Sequence, residues 1–271
     1  MFLSRHHTAN GPRWALDGDL LPPAFDLGLL LELPRAAFSA FLRTLPTGEQ
    51  AVGRHLAPVE LMHEVWASGV TYLRSRDARQ AESETGDIYA RVYLAERPEL
   101  FMKAIGWRVM GPGDPIRVRP DSTWSVPEPE LTLVINRHKE IVGYCAGNDV
   151  SSRSIEGANP LDLPQAKVYA GSCALGPGLQ LIGPDAMREL PIALQIVRGG
   201  KQIFAGETST AQMKRTFEDL ADYLCRELPF PRGVFLMTGT GIVPPDEFTL
   251  QSGDVVRVTV GELVLENEVQ A

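Results

Sequence analysis

The segment from Glu128 to Asp149 constrains the fold more than any other part of the sequence, because it has the pattern of a β-hairpin. An apolar run, 131–135, is followed by the polar residues 136–140 and by a second apolar run, 141–146. Two apolar, β-branched runs joined by a short polar turn are typical of paired antiparallel strands. With the turn centred between its third and fourth residues, the numbers of paired residues sum to about 277, so Asp149 is predicted to lie opposite Glu128.

Three carboxylates are therefore expected to meet at one end of this hairpin. Glu128 and Glu130 are two residues apart at the start of the first strand, and alternate side chains of a strand point to the same face. Like charges held this close repel one another unless a cation compensates them, and carboxylate oxygens select Mg²⁺, Mn²⁺ or Ca²⁺ over zinc. Spacing alone leaves an alternative open, in which both glutamates face solvent and Asp149 stabilises a turn.

The composition argues against several classes of function. Acidic residues outnumber basic ones by 34 to 26 and no Lys/Arg-rich run is present, so we expect no nucleic-acid partner. The three cysteines lack CxxC spacing, which argues against a disulfide framework or a structural zinc site and favours reduced thiols. No apolar run is long enough for a secretion signal or a membrane span, and we expect a cytoplasmic protein without membrane contact.

Many short strands and few helices are predicted, which indicates a strand-rich α+β fold. The runs that predict strands are 116–119, 131–135, 141–146, 190–197 and 255–260. The clearest predicted helix covers residues 209–227, where apolar residues recur at helical spacing. Proline and glycine divide residues 1–58 into short pieces, and we expect a small N-terminal unit there, beside a main domain of residues 59–271.

Several motifs together resemble the fumarylacetoacetate hydrolase superfamily. In chain order they are Phe101-Met102-Lys103, Pro127-Glu128-Pro129-Glu130-Leu131, Gly143 to Arg153, Gln165-Ala166-Lys167, Leu175-Gly176-Pro177, Thr238-Gly239-Thr240-Gly241 and Gly253-Asp254-Val255. The resemblance implies a mixed β-sheet roll, a Mg²⁺-type ion bound by Glu128, Glu130 and Asp149, and a homodimer or higher homo-oligomer. It also implies a small 2-oxo or 1,3-dicarbonyl acid as substrate, since adjacent carboxylate and keto oxygens chelate a cation with open positions.

One short segment bears on the choice of reaction. Hydrolases of this family have a His-Glu pair that activates water, but Ser75 and Ala78 stand at those two positions. Residues 64–72, 97–101 and 156–161 are similar to the sugar-acid branch, which includes 2-keto-3-deoxy-D-arabinonate dehydratases. The resemblance therefore implies a Mg²⁺-dependent lyase that dehydrates a 2-keto-3-deoxy sugar acid of the pentonate type. The alternatives are carbon-carbon hydrolysis of a 2,4-diketo acid, tautomerisation or decarboxylation of a 2-oxo acid, and a non-catalytic, metal-stabilised scaffold.

A dehydratase needs one group that stabilises the developing enolate and another that transfers protons. Lys167 matches the family's active-site lysine, and the resemblance implies that it hydrogen-bonds the keto or enolate oxygen. Glu99 is the first candidate for proton transfer, with Glu82 and Glu84 of a charged segment as rivals.

Substrate contacts are expected from Ser75, Lys103 and Thr240. Thr240 lies in a Gly-rich turn, whose hydroxyl and N–H groups suit a substrate carboxylate. Lys103 and Arg153 are equally compatible with structural ion pairs. The neighbouring pair His63-Glu64 is expected to be structural, because adjacent side chains point apart on regular elements.

Overall fold

The computed structural model describes residues 1–82 and 87–270, without the side chains of Arg79, Ala81, Glu82 and Asp87. The strands are β1 Phe2–Thr8, β2 Gly11–Leu16, β3 Asp19–Leu20, β4 His55–Leu56, β5 Glu64–Gly69, β6 Glu99–Ile105, β7 Ile116–Arg117, β8 Ser125–Val126, β9 Pro129–Ile135, β10 Ile141–Asp149, β11 Ser151–Ser152, β12 Cys173–Gln180, β13 Pro191–Arg198, β14 Lys201–Ser209, β15 Val234–Met237, β16 Val255–Val260 and β17 Leu263–Gln270. The helices are α1 Leu27–Leu30, α2 Phe38–Thr44, α3 Leu73–Glu82, α4 Asp87–Leu94, α5 Arg153–Ala158, α6 Leu163–Lys167 and α7 Phe217–Cys225. Strand exceeds helix, 38% against 23%, which confirms the predicted strand-rich α+β class.

Ten strands form one large mixed sheet and five form a smaller sheet. The large sheet has the order β3-β2-β1-β12-β10-β9-β15-β5-β6, with β4 beside β1, and the smaller one has the order β14-β13-β16-β17-β7. Apolar side chains on one face of β9 and β10 pack with β13, β16 and α7 in one core, and those on the other face pack with β1, β2, α1 and α2 in a second core. Burial on both faces explains why the sequences of β9 and β10 are almost continuously apolar.

The predicted hairpin is confirmed as β9 and β10. Asn148 pairs with Pro129 at the predicted register, and the Asp149 N–H donates to the Glu128 carbonyl at 3.0 Å. The turn is set locally, because the Asn136 side-chain oxygen accepts two backbone N–H groups of the turn, at 2.9 and 3.0 Å. Side chain to backbone bonds of this kind are what asparagine contributes to tight turns.

The helix predicted for residues 209–227 was wrong in its first half. The observed helix α7 begins after Thr216, whose hydroxyl accepts a backbone N–H of the first turn at 3.1 Å. Before it, Ser209 ends strand β14, and the Lys214 N–H donates at 3.0 Å to a carbonyl just before α3. Pairing with other parts of the chain therefore overrides the helical spacing of the apolar residues in this stretch.

The five predicted strands correspond to β7, β9, β10, β13 and β16. Strand β16 has the predicted bounds, and β13 is displaced by one residue. Strand β7 ends at Arg117, two residues early, whereas β10 continues three residues further than predicted, to Asp149. That extension matters because it brings Asp149 into the ladder beside β9.

Residues 1–58 extend the large sheet, because β1 pairs with β12. Leu3 of this part belongs to the same apolar core as Phe235 of β15. The boundary near residue 58 stays a prediction. Within the described part of the chain, no helix is long and apolar enough to cross a membrane.

Strand β6 lies at the edge of the large sheet, beside β5, and it contains a β-bulge. Trp66 pairs with Met102 and Val65 pairs with Ala104, which leaves Lys103 as the extra residue. A bulge bends its strand and re-aims the extra side chain. Lys103 is accordingly fully buried, whereas its neighbour Met102 is 36% exposed.

Candidate active site

The three carboxylates predicted from the hairpin come together in the structure. Glu128, Glu130 and Asp149 each offer an oxygen, and these oxygens lie within 4.8 Å of one another. All three side chains are buried. Their convergence follows from the hairpin register, which places the end of β10 beside the start of β9.

Glu130 shows the electrostatic cost of this arrangement. Burial raises the pKa of the Glu130 carboxyl well above its usual range, and the charges of Asp149 and Glu128 raise the pKa further. The positive charge of Lys167 and the N–H of Gly239, which donates to Glu130 Oε2 at 2.6 Å, partly oppose this shift. A proton or a cation is therefore favoured at this carboxyl.

Three buried basic side chains surround the carboxylates. Lys167 Nζ lies 2.8 Å from Glu128 Oε2 and 3.1 Å from Asp149 Oδ2. Arg153 Nη2 lies 3.1 Å from Glu128 Oε1, and Lys103 Nζ lies 2.5 Å from Asp149 Oδ1. In both Glu128 and Asp149, one carboxylate oxygen therefore contacts Lys167. The other oxygen contacts Arg153 in Glu128 and Lys103 in Asp149.

The donor set fits a hard divalent cation. Carboxylate oxygens are the ligands that Mg²⁺ and Ca²⁺ prefer, and here three of them converge from two adjacent strands. Glu128 and Asp149 also line a cavity, so an ion held by them would have coordination positions open towards a ligand. Such an open site suits an ion that acts on a substrate rather than one that only stabilises the fold.

The cavity beside the carboxylates has an empty volume of about 310 Å³, its opening included. Four other residues predicted from the sequence line it: Ser75, Glu99, Lys167 and Thr240. They come from α3, β6, α6 and the loop after β15, so the fold gathers them from distant parts of the chain. Phe101 and Leu163 add apolar surface to the same walls.

Glu99 owes its placement to a glycine. Gly69 pairs with Glu99 across β5 and β6, and a Cβ on Gly69 would clash with the Glu99 carboxylate. The Ser68 hydroxyl donates to the Glu99 carbonyl at 2.9 Å and fixes the backbone there. The carboxylate therefore lies directly against the backbone of β5, on the cavity wall.

Thr240 lies in the Gly-rich turn that follows β15. Gly239 has a φ of 89°, a value that favours glycine, and the Thr240 hydroxyl accepts the Ile242 N–H at 3.2 Å. Ser75 lies on α3, is 5% exposed and lines the same cavity. Both hydroxyl groups are able to donate to, and accept from, the polar atoms of a small acid.

The remaining predicted site residues are placed otherwise. Lys103 does not line the cavity, and its ammonium engages Asp149, which favours the ion-pair alternative over the predicted substrate contact. The physical reason is the bulge in β6, which turns the side chain into the protein interior. The Glu82 side chain and the whole of Glu84 lie outside the described residues.

His63 is bonded as the structural interpretation expects. Its Nδ1 accepts the Glu60 N–H at 3.0 Å, so its Nε2 carries the proton and donates to the Arg232 carbonyl at 3.1 Å. Burial lowers the pKa of the imidazole to about 4. His63 is therefore neutral near pH 7 and joins two loops through backbone groups.

The sequence patterns gave no role to Glu156, which is buried on α5 and lines the cavity. It follows Arg153 by three residues, and residues at this spacing share one face of a helix. The sequence signal that could have identified Glu156 is this spacing from Arg153, because Arg153 contacts Glu128. That signal has meaning only once the fold places α5 beside the hairpin.

Comparisons with known proteins agree with one another. The family model described as fumarylacetoacetate (FAA) hydrolase C-terminal matches residues 64–270. A probable 2-keto-3-deoxyxylonate dehydratase of Haloferax volcanii is 47% identical over 212 residues, which cover 77% of this chain and 72% of the relative. A 2-dehydro-3-deoxy-D-arabinonate dehydratase of Saccharolobus solfataricus is 42% identical over 207 residues, which cover 74% and 69%.

The fold also matches a solved structure. The structure of 2-keto-3-deoxy-D-arabinonate dehydratase complexed with magnesium and 2,5-dioxopentanoate has a TM-score of 0.83 to this chain at 34% identity. The match covers 100% of this chain and 99% of that one. The smaller, N-terminal part of the chain is therefore included in the structural likeness.

Proposed function

The chain belongs to the fumarylacetoacetate hydrolase family, and from this premise we propose that it is a Mg²⁺-dependent dehydratase of 2-keto-3-deoxy sugar acids of the pentonate type. The observation that carries the proposal is the buried carboxylate triad, with Lys167 and Glu99 on the same cavity. Relatives that are dehydratases of such acids support the choice of reaction.

Glu128, Glu130 and Asp149 are the proposed ligands of the cation. A cation held by these three residues would supply Lewis-acid polarisation of the oxygens of a 2-oxo acid, which would acidify the protons on C3. The pKa of Glu130, raised first by burial and further by the charges of Asp149 and Glu128, supports this assignment, because a cation would stabilise the charged form against both effects.

Lys167 and Glu99 are the proposed groups that act during the reaction. Lys167 donates a hydrogen bond to the C2 oxygen, where negative charge develops as C3 loses its proton. Glu99 takes that proton as general base. The C3–C4 double bond then forms while the C4–O bond breaks, and the leaving hydroxyl takes the proton from Glu99 and departs as water. Glu156, on the same cavity, is the alternative proton donor for this last step.

The product follows from the atoms that remain. Loss of water from a 2-keto-3-deoxy pentonate leaves an unsaturated 2-oxo acid with a hydroxyl on C5. A proton transfer from C5 to C3 moves the double bond and gives an enol, and a second transfer from its hydroxyl to C4 gives the C5 aldehyde, 2,5-dioxopentanoate, which is the compound bound in the related structure.

Ser75 and Thr240 are the proposed substrate contacts. Their hydroxyls line the cavity and match the hydroxyl and carboxylate groups of a sugar acid. Ser75 also weighs against carbon-carbon hydrolysis, the second candidate, because serine cannot replace the histidine that activates water in the family's hydrolases.

We also propose a homodimer or higher homo-oligomer that works in the cytoplasm. Membership of the family supports the oligomer. The three cysteines are free and buried in the described structure, which is compatible with a reducing compartment.

Incubation of the protein with a 2-keto-3-deoxy pentonate and Mg²⁺ tests the proposed reaction. We expect one semialdehyde product, seen by NMR, and loss of turnover after Glu128→Ala. Pyruvate as a product would show carbon-carbon cleavage and would reject dehydration. Tight, metal-dependent binding of the acid without any turnover would favour the non-catalytic alternative.

A further inference from the structure

Lys103 has an ammonium that is completely enclosed by protein. It forms an ion pair with Asp149 Oδ1 at 2.5 Å, and it donates to the Val150 carbonyl at 3.1 Å and to the Lys167 carbonyl. An ammonium has three N–H donors, and the two carbonyls use two of them, while the ion pair sets the charge of Lys103 against Asp149. Because Lys103 is enclosed and does not line the cavity, it is not placed to contact a substrate there, although it lies beside the site.

The three oxygen atoms that contact Lys103 belong to two segments that also supply residues of the site. Asp149 ends strand β10, Val150 follows it directly, and Lys167 ends helix α6. The side chain of Lys167 returns to Asp149, with its Nζ 3.1 Å from Oδ2. Lys103 thus ties a predicted ligand and the backbone of the predicted active-site lysine to one point on β6.

The two oxygens of Asp149 are distinguished by this arrangement. Oδ1 faces Lys103, which does not line the cavity, whereas Oδ2 faces Lys167, which does. The carboxylate group is planar, so a contact that holds Oδ1 of Asp149 in place also sets the direction in which Oδ2 points. The positive charge of Lys103 also offsets part of the repulsion among the three buried carboxylates.

We propose that Lys103 is a positioning residue for the metal site, which holds Asp149 through Oδ1 so that Oδ2 is presented to the cation. This inference rests on the proposed cation site. It assigns Lys103 to the metal and not to the substrate, so the two roles predict different measurements. Partners that orient a metal ligand typically change metal affinity about 10–100-fold when they are removed.

Lys103→Met tests the inference, because methionine has a similar length without the charge or the donors. Calorimetry with Mn²⁺ and no substrate should give a Kd about 10–100-fold above that of the wild type. At saturating metal, the KM for a 2-keto-3-deoxy pentonate should stay within about twofold of the wild-type value, because no substrate contact is lost.

Arg198→Met is the matched control. Arg198 also pairs with a fully buried carboxylate, that of Asp254, at 2.7 Å, but it lies on β13 in the smaller sheet. Its removal should cost stability and leave the Kd for Mn²⁺ unchanged.

The outcomes separate the inference from the function on which it rests. A folded Lys103→Met with wild-type affinity for Mn²⁺, or with a raised KM and unchanged Mn²⁺ affinity, overturns the positioning role alone. Wild-type protein that binds no Mn²⁺ rejects the proposed cation site itself.

Should Lys103→Met fail to fold, the wild-type protein gives the test. The chain has five lysines, all within the described residues, and of these only Lys103 and Lys167 are buried. In ¹⁵N-lysine-labelled protein, the enclosed ammonium of Lys103 should give a signal that shifts when Mg²⁺ is added without any acid. Lys167→Arg identifies which signal belongs to Lys103. A Lys103 signal that shifts only when pyruvate is added overturns the inference.

Discussion

The cavity has two walls that are built in different ways. The ligand wall carries Glu128, directly before β9, and Asp149, at the end of β10, and Glu130 of β9 belongs to the same carboxylate cluster. Both strands have strands on both sides and are buried on both faces. The edge wall carries Glu99 on β6, the last strand of the sheet, and Ser75 on the adjacent α3. The first wall is part of a close-packed core, and the second borders solvent.

This difference separates two tasks. A dense core holds charged ligands at fixed distances, because any displacement disturbs many neighbours. Residues at a sheet edge are able to change with less effect on the fold. The ligand wall therefore suits cation binding shared by a family, and the edge wall suits the choice among its reactions.

Asp149→Asn should have the largest effect, because it removes a charged oxygen from the ligand wall while the size of the side chain is kept. We expect turnover to fall by about 10⁴-fold, since a bound cation contributes several kcal/mol to transition-state stabilisation. Mn²⁺ binding, measured by calorimetry, should be lost together with activity. Retention of Mn²⁺ binding by this variant would break the assignment of the ligand wall.

Glu99→Gln should lower kcat by about 10³-fold, the loss typical of a missing general base. The Kd for Mn²⁺ should not change, because Glu99 belongs to the edge wall. Glu247→Gln, an exposed glutamate elsewhere on the chain, should leave both quantities as in the wild type. A Glu99→Gln variant with altered Mn²⁺ affinity would contradict the separation of the two walls.

Gly69→Ala should act on the edge wall without removing a functional group. Its Cβ would displace the Glu99 carboxylate, and a misplacement of about 1 Å can cost about 10²-fold in rate. Steady-state kinetics should show the loss in kcat, with Mn²⁺ affinity preserved. Gly48→Ala is the control, because a Cβ there makes ordinary contacts with Leu20 and should leave kcat unchanged.

Glu130 should also make the stability of the protein depend on pH, and this effect should be smaller than the losses of activity above. The pKa of Glu130 is raised in the folded protein, so its contribution to the free energy of unfolding is present below the unfolded pKa and is lost as pH rises through the folded pKa. In EDTA we therefore expect the Tm of the wild type to fall more between pH 5 and pH 8 than the Tm of Glu130→Gln. Each kcal/mol of lost stability should lower the Tm by about 2–4 °C. Mg²⁺ should stabilise the wild type more at the higher pH.

His63 gives the opposite slope and has to be separated from this effect. Its pKa is lowered from 6.5 to about 4, so its contribution to stability is present above pH 6.5 and is lost as pH falls towards 4. Because His63 is present in both proteins, the difference between wild type and Glu130→Gln in thermal melts reports on Glu130. An equal pH dependence in the two proteins would count against a raised pKa of Glu130 in the folded protein.

The two walls also differ in how well the sequence predicts them. The hairpin register follows from a local turn, in which Asn136 bonds to its own neighbours, and that register brings the three carboxylates together. The edge wall depends on strand pairing and on Gly69, which a pattern of apolar residues does not reveal. Resemblance to the family suggested Glu99 and Ser75, and the structure adds that they share one cavity.

Tertiary contacts explain the predictions that were wrong or absent. The bulge in β6 turns Lys103 inward, and a bulge is defined by the partner strand and not by the strand itself. Met213 has helical spacing to the apolar residues of α7, but the stretch before α7 bonds to other segments through Thr210 and Lys214. Glu156 faces the cavity because α5 follows directly after the end of the hairpin and the short strand β11.

The hairpin has a consequence for the order in which the molecule assembles. Its contacts are local in sequence, so β9 and β10 are expected to pair early, before strands from distant parts of the chain join the sheet. The three acidic groups then meet while Lys103, whose bond to Val150 spans 47 residues, is still apart from them. The growing sheet thus gathers the three carboxylates before the charge of Lys103 arrives, and a divalent ion in the surrounding solution is able to assist folding at that stage as well as catalysis at the end.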